Sequence, residues 1–119
     1  MKKILVVEDN EQNVYLMQYM LEKSGYAVVV ARSGGEAVIL ALQEKPDLIL
    51  MDIQLPDIDG LEVTRRIRAS EAAGKIQIVA VTSFAMTGDR EKALVAGCNG
   101  YIEKPINPGT FLDEIGRYA

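Results

Sequence analysis

The sequence predicts an α/β protein in which a five-stranded parallel sheet lies between two layers of helices. Five short apolar runs alternate with stretches of helical spacing, so that strand is followed by helix five times over. Most runs are continuous and aliphatic or β-branched, as in strands buried on both faces. Right-handed crossovers between parallel strands place helices on both faces of such a sheet. A length of 119 residues suits one domain, residues 1–119, with a single core.

Each strand is predicted from its own apolar run. The four stronger runs are residues 4–7, 27–30, 48–51 and 78–81, and a weaker fifth is 100–103. We expect the strand order 2-1-3-4-5 of doubly wound sheets. The second run carries no notable polar group at its end, as its edge position in this order predicts.

The helices are predicted from apolar residues three or four positions apart. In chain order the stripes are Val14, Met17 and Leu21; Ala37, Leu40 and Ala41; Leu61, Thr64 and Ile67; Ala93, Ala96 and Gly97; and Phe111, Leu112 and Ile115.

Capping residues support these boundaries. Ser33 and Glu36 have the spacing of a capping box, in which each side chain accepts from an amide of the first turn. Asn107 before Pro108 is a typical helix start. Gly25, Gly74 and Gly97 are placed where helices end.

Composition excludes several classes of function. The net charge is −4 and the basic residues are scattered, so nucleic acid is not an expected partner. Cys98 is the single cysteine, which excludes an intrachain disulfide and favours a buried, small apolar role in a reducing compartment. No apolar run approaches the roughly 18 residues of a membrane span, and none resembles a signal peptide. We therefore expect a cytoplasmic protein without a membrane partner.

Polar groups follow four of the five predicted strands. Glu8 and Asp9 follow the first, Asp52 the third, Thr82 the fourth and Lys104 the fifth. In the order 2-1-3-4-5 these four strands are neighbours, and ligands of open α/β sheets bind beyond their carboxyl ends. The four groups should therefore converge.

Such a cluster suits phosphoryl transfer. Three close carboxylates repel one another unless a cation lies among them, and Mg²⁺ prefers oxygen ligands and water. With that repulsion offset, an Asp carboxylate can act as a nucleophile toward phosphorus. The Lys104 ammonium and the Thr82 hydroxyl would stabilise the phosphoryl oxygens.

At these positions the chain resembles the receiver domain of two-component response regulators, which has a flavodoxin-like (βα)5 fold. The resemblance covers nearly the whole length. It is carried by Glu8-Asp9-Asn10, residues 50–56 (Leu-Met-Asp-Ile-Gln-Leu-Pro), Asp59-Gly60, Val81-Thr82, Tyr101 and Lys104-Pro105.

Within this family the chain is most similar to stand-alone receivers of the DivK type. The shared stretches are Asp9-Asn10-Glu11, Phe84-Ala85-Met86 and Ala96-Gly97-Cys98. Receiver domains of hybrid histidine kinases share much of this sequence, so a receiver fragment of such a kinase is an alternative.

The resemblance implies a role for each site residue. Asp52 would accept a phosphoryl group from a phosphohistidine on a sensor histidine kinase or histidine phosphotransfer protein. Asp9 and Asp52 would bind Mg²⁺ directly together with the main-chain carbonyl of Gln54, and Glu8 would bind it through water.

The resemblance also implies a switch. Lys104 would pair with Asp52 at rest and with the phosphoryl group afterward, and its bond to Pro105 would be cis. Thr82 would move toward the phosphoryl oxygens and Tyr101 would turn inward, reshaping the surface around helix four, strand five and helix five. Ser83 departs from the alanine common in this subgroup.

Two other classes compete with a signalling switch. An Asp-nucleophile phosphohydrolase commonly has a second Asp two residues after the first, where this chain has Gln54. A flavodoxin-like cofactor binder needs a phosphate-cradling loop after the first strand, where Glu8, Asp9 and Glu11 would repel a phosphate.

We therefore expect a phosphoacceptor that is not an enzyme beyond its own phosphoryl transfer and slow autodephosphorylation. The chain has no histidine and so is not itself a phosphohistidine donor. It ends where the fifth helix should finish, which predicts that output passes through a downstream protein target.

Overall fold

The computed structural model describes residues 1–70, 76–83 and 89–119. Within them lies one parallel sheet whose strands are β1 (Lys3–Val7), β2 (Ala27–Ala31), β3 (Leu48–Asp52), β4 (Gln77–Thr82) and β5 (Gly100–Glu103). Their order is β2-β1-β3-β4-β5. The predicted fold class and strand order are confirmed, and each strand end lies within one residue of its predicted position.

The helices form a layer on each face of the sheet. They are α1 (Glu11–Lys23), α2 (Gly34–Glu44), α3 (Gly60–Arg68), α4 (Asp89–Ala96) and α5 (Pro108–Tyr118). Helices α2, α3 and α4 pack on one hydrophobic core, and α1 and α5 pack on the other. The predicted stripes contribute to these cores, with Leu40, Leu61 and Leu112 only partly buried.

Burial differs between the central and edge strands. Every residue of β3 is buried, including Asp52 at its end. In β2 only Ala31 is buried and the other four residues are half-buried, because an edge strand is covered by fewer neighbours. Full burial of each large aliphatic side chain stabilises the fold by roughly 1.5 to 3 kcal/mol. Asp52 therefore lies at the end of a fully buried central strand.

The predicted capping box is half right. Ser33 Oγ accepts from the Glu36 amide at 3.2 Å, as expected. The Glu36 carboxylate, however, accepts from the Arg32 amide at 2.8 Å. Ser33 is extended where the chain leaves β2, with φ −147° and ψ 163°, so the preceding amide is the one that meets Glu36.

Other helix ends follow the predicted chemistry. Asn107 Oδ1 accepts from the Gly109 amide at 2.9 Å, with Pro108 as the first helical residue. Gly25 and Gly97 have φ of 93° and 116°, which glycine adopts without steric cost. Helix α2 ends instead at Lys45, a non-glycine residue with φ 47° that the sequence pattern did not indicate. Gly74 and residues 84–86, singled out above, lie outside the described residues.

In the part of the chain that the structure describes, no helix is both long enough and apolar enough to cross a membrane. Cys98 is buried, as predicted, and its sulfur lies 3.9 Å from Thr64 Oγ1.

Candidate functional site

Strand register brings the predicted site residues to one end of the sheet. Val7 pairs with Met51, so the residues that follow, Glu8 and Asp52, lie side by side at the ends of neighbouring strands. On the other side of β3, Thr82 pairs with Glu103 of β5. The next amide, that of Lys104, donates to the Thr82 carbonyl at 2.8 Å. The carboxyl ends of β1, β3, β4 and β5 thus form one continuous edge.

Three carboxylates cluster at this edge. Oxygens of Glu8, Asp9 and Asp52 all lie within 4.8 Å of one another. Glu8 and Asp52 are 1% and 4% exposed, whereas Asp9 is exposed to solvent. An all-oxygen set with an open, water-facing side fits Mg²⁺, which keeps several waters when bound to protein. The donor chemistry of these residues therefore fits the metal that the sequence predicted.

Lys104 lies between the two buried carboxylates. Its Nζ is 2.5 Å from Glu8 Oε1 and 3.4 Å from Asp52 Oδ2. Glu8 is further held by the Asn10 amide at 3.2 Å and by Asn13 Nδ2 at 3.5 Å. The shorter ion pair is therefore with Glu8, a contact that the sequence analysis did not anticipate. The Lys104–Pro105 peptide bond is cis, as the resemblance implied.

The Asp52 carboxyl has a strongly shifted acidity. Burial, followed by the hydrogen bond and the negative charge of Glu8, raises the pKa of Asp52 from 3.8 to about 7. Lys104 and the Gln54 amide lower it, but offset only part of that rise. One ammonium does not balance two buried carboxylates, so the site favours additional positive charge.

The loop after β3 holds Asp52 from the other side. The Gln54 amide donates to Asp52 Oδ1 at 3.1 Å, and Ser83 Oγ donates to Gln54 Oε1 at 3.5 Å. Where the loop ends, the Gly60 amide donates to the Ile53 carbonyl at 2.8 Å. A Cβ at Gly60 would lie 2.2 Å from the Asp52 carbonyl oxygen, so only glycine allows this closure.

The two predicted switch residues occupy different environments. Thr82 is buried at the end of β4. Tyr101 is half-buried on β5 and packs against the core beneath α2, α3 and α4. It also lines a cavity of about 370 Å³ beside β5 and α5, together with Glu103, Ile106 and Phe111.

Asp57 is a residue of this region that the sequence analysis did not single out. Its Oδ1 accepts from the Gly34 amide at 2.7 Å and its Oδ2 from the Gly35 amide at 3.0 Å. The partners are more than 20 positions away along the chain, and no local pattern links them. The available signal was weak: a pair of glycines opening one helix and an Asp in the loop before another.

Comparison with known proteins defines the class of this chain. A family model for the response regulator receiver domain matches residues 4–116. The chain therefore belongs to the receiver domains of two-component response regulators, whose members are phosphoacceptor signalling switches. The family predicted from the strand-end residues is confirmed.

Particular relatives refine that assignment. Over 117 residues, 98% of this chain and 95% of the relative, the sequence is 48% identical to the polar-differentiation response regulator DivK of Brucella ovis. The DivK-type likeness is thus confirmed, and the chain is a signalling protein of this class.

Solved structures agree. A receiver domain of a sensor histidine kinase from Pseudomonas aeruginosa PAO1, with magnesium coordinated in its active site cleft, is 40% identical with a TM-score of 0.90, covering 98% of this chain and 96% of that one. The chemotaxis protein CheY4 of Vibrio cholerae is 27% identical with a TM-score of 0.94, covering 100% and 99%.

Proposed function

We propose that Asp52 is the phosphoacceptor of this receiver domain and that Mg²⁺ serves the transfer. The observation that carries this assignment is the burial of Asp52 among Glu8, Asp9 and Lys104 at the carboxyl edge of the sheet. Asp9, Asp52 and the Gln54 carbonyl would hold the metal directly, with Glu8 acting through water. Bound there, Mg²⁺ supplies the positive charge that the carboxylates and the phosphoryl oxygens require.

The transfer uses the chain's own side chains in defined ways. An Asp52 carboxylate oxygen attacks the phosphorus of a phosphohistidine on a histidine kinase or phosphotransfer protein. The phosphorus–nitrogen bond breaks and the partner's imidazole leaves. Lys104, already 3.4 Å from Asp52 Oδ2, can follow the new negative charge, and the Thr82 hydroxyl can donate to a phosphoryl oxygen.

The raised pKa of Asp52 supports the need for a cation. The nucleophile is the ionised carboxylate, whereas a pKa of about 7 leaves a large protonated fraction at neutral pH. Positive charge near the carboxylates restores the ionised form. A cation bound beside the carboxylates would therefore also activate Asp52 as the nucleophile.

Output is proposed to pass through the surface formed by α4, β5 and α5. Tyr101 links the site to this surface, since it packs on the core and lines the cavity beside α5. A change at Thr82 and Lys104 would alter the space available to Tyr101. A downstream protein that binds this surface would then distinguish the two states, with no further chemistry required of this chain.

Incubation with acetyl phosphate and Mg²⁺, followed by intact mass measurement, tests the acceptor. We expect one phosphoryl adduct on the wild-type protein, none after removal of Mg²⁺ with EDTA, and none on Asp52→Asn. Asp59→Asn is the matched control, because Asp59 is an exposed carboxylate in the same loop that caps α3 through the Leu61 amide. An adduct that persists on Asp52→Asn contradicts the assignment, and sustained hydrolysis of small phosphate esters would favour the phosphohydrolase.

Lys104→Ala tests the switch. This variant should still accept a phosphoryl group, although more slowly than the wild type. It should lose phosphorylation-dependent binding of its partner, because it lacks the ammonium that pairs with the phosphoryl group. Pull-downs with and without beryllofluoride compare the two states. Unchanged beryllofluoride-dependent capture by Lys104→Ala would show that Lys104 does not transmit the signal.

A further inference from the structure

The loop that follows Asp52 is fastened to a helix on the same face of the sheet. Asp57 accepts from two successive amides at the start of α2, those of Gly34 at 2.7 Å and Gly35 at 3.0 Å. Each carboxylate oxygen takes one amide, so the contact fixes the orientation of the carboxylate as well as its position. We call this contact between Asp57 and the two glycines the α2 clamp.

The packing around the α2 clamp is close. A Cβ added at Gly34 would lie 2.7 Å from Val63 Cγ2 and 3.1 Å from Ile58 Cβ. The first turn of α2 therefore reaches its hydrogen-bonding distance only because position 34 has no side chain. The Gly35 and Gly34 amides also lower the pKa of Asp57, which keeps the carboxylate ionised.

The same loop sets the orientation of Asp52. The Gln54 amide donates to Asp52 Oδ1 at 3.1 Å, and the Gly60 amide closes the loop on the Ile53 carbonyl at 2.8 Å. The loop end nearest Gly60 is fixed by α3, whereas the clamp supplies a second, independent attachment through α2. The Gln54 peptide lies between Asp52 and the clamped residue.

We propose that Asp57 is a positioning residue for the acceptor site: through the α2 clamp it holds the Gln54 peptide in the place that orients the Asp52 carboxylate. Because the Gln54 carbonyl is one of the metal ligands assigned above, the inference rests on the proposed function and extends it to metal affinity. The α2 clamp makes α2 a support for the site, although α2 contributes none of the residues assigned to it.

Magnesium affinity measured by isothermal titration calorimetry separates positioning from helix capping. Ser33→Ala is the matched control, since Ser33 also accepts from an amide in the first turn of α2 but has no bond to the loop. Asp57→Ala should weaken Mg²⁺ binding roughly tenfold, at the lower end of the effect of outer-shell partners, while Ser33→Ala changes it less than about twofold. Asp57→Asn, whose amide oxygen can still accept from one glycine, should fall between.

Hydrogen exchange at the Gln54 amide provides a second measurement. Exchange should become faster in Asp57→Ala and stay unchanged in Ser33→Ala, because only the first variant releases the loop. Equal losses of thermal stability in both variants with unchanged Mg²⁺ affinity would show that Asp57 is only a cap of α2. Should Asp57→Ala fail to fold, Asp57→Asn alone decides: wild-type Mg²⁺ affinity and exchange in that variant overturn the inference.

The phosphoryl-adduct measurement described under the proposed function distinguishes failure of this inference from failure of the proposed function. If the inference about Asp57 is wrong but Asp52 is the acceptor, the wild-type protein still forms a phosphoryl adduct and Asp52→Asn forms none. Failure of the proposed function instead appears as an adduct on Asp52→Asn, or as no Mg²⁺-dependent adduct on the wild type. The first result rejects the positioning role of Asp57, and the second rejects the assignment of Asp52 as the phosphoacceptor.

Discussion

Charged side chains are buried at both ends of the sheet, but their partners differ. At the amino end, the partly buried Arg68 guanidinium donates to the Ile76 carbonyl at 2.6 Å, the Gly97 carbonyl at 2.9 Å and Asn99 Oδ1 at 2.7 Å. At the carboxyl end, Glu8 and Asp52 share the ammonium of Lys104. The single positive charge of Arg68 is surrounded by neutral oxygens, whereas the two carboxylates of Glu8 and Asp52 share the one ammonium of Lys104.

The difference between the two ends lies in the charge of the partner groups. Among the described residues, the partners of Arg68 include two main-chain carbonyls and an amide oxygen that also accepts from the Ile78 amide, all of them neutral groups. At the carboxyl end two buried carboxylates face one ammonium, and burial together with the neighbouring Glu8 raises the pKa of Asp52 to about 7. Strongly shifted pKa values of this kind are concentrated at functional sites.

Removing the shared cation should have the largest effect. Lys104→Met keeps the length of the side chain but leaves Glu8 and Asp52 without a cation, so we expect a loss of about 3 kcal/mol in the free energy of unfolding at pH 8 without Mg²⁺. Urea unfolding measures it. Added Mg²⁺ should restore more stability to Lys104→Met than to the wild type, and equal gains would contradict the shared-cation picture.

Removing one of the competing carboxylates should act in the opposite direction. The pKa of Asp52 rises on folding from 3.8 to about 7, so its ionisation favours the unfolded chain, and the cost is complete only above pH 7. Asp52→Asn should therefore stabilise the Mg²⁺-free protein by roughly 2 kcal/mol at pH 8, less than the full pKa shift implies, because water at the open side of the site screens the charges.

The pH dependence of that gain is its check. The gain should shrink steadily as the pH falls from 7 toward about 4, because the folded wild type then carries a protonated Asp52. Urea unfolding at several pH values in EDTA follows it. A gain that is constant between pH 5 and 8 would show that the pKa of Asp52 is not raised.

At the other end of the sheet, Arg68→Ala should destabilise the protein by roughly 1.5 kcal/mol, because three oxygens lose a donor. None of these partners titrates between pH 5 and 8, so the loss should be the same at both values. A loss that varied with pH as the Asp52 effect does would remove the distinction between the two ends.

The smallest effect is expected from a neighbouring arginine on the surface. Arg66 pairs with Glu62 at 3.1 Å and is 53% exposed. Arg66→Ala should change the free energy of unfolding by less than about 0.5 kcal/mol. If thermal unfolding shows that Arg66→Ala costs as much as Arg68→Ala, the buried contacts of Arg68 are not what stabilises the amino end.

Much of the fold and of the site's location could be predicted from the sequence. Short aliphatic runs and helical stripes determine a parallel sheet, and the geometry of such a sheet brings the residues after β1, β3, β4 and β5 together. Glu8, Asp52, Thr82 and Lys104 could thus be placed without coordinates. Their roles in phosphoryl transfer stay predictions for the experiments above.

Features that depend on side-chain reach and long-range pairing could not be predicted. That Lys104 Nζ lies nearer Glu8 than Asp52 follows from the placement of three side chains in space, which spacing along the sequence does not give. Asp57 meets α2 only because the fold brings two distant loops together. The Glu36 carboxylate satisfies the Arg32 amide instead of its own cap residue, since the path of the chain out of β2 decides which amide is near.

The glycine that closes the loop after Asp52 has a consequence for re-engineering this scaffold. Any side chain at Gly60 would overlap the main chain of Asp52, with a Cβ only 2.2 Å from its carbonyl oxygen. Gln54 and Ser83, in contrast, are exposed residues beside Asp52. A library of variants of this scaffold should therefore vary positions 54 and 83 and leave position 60 fixed.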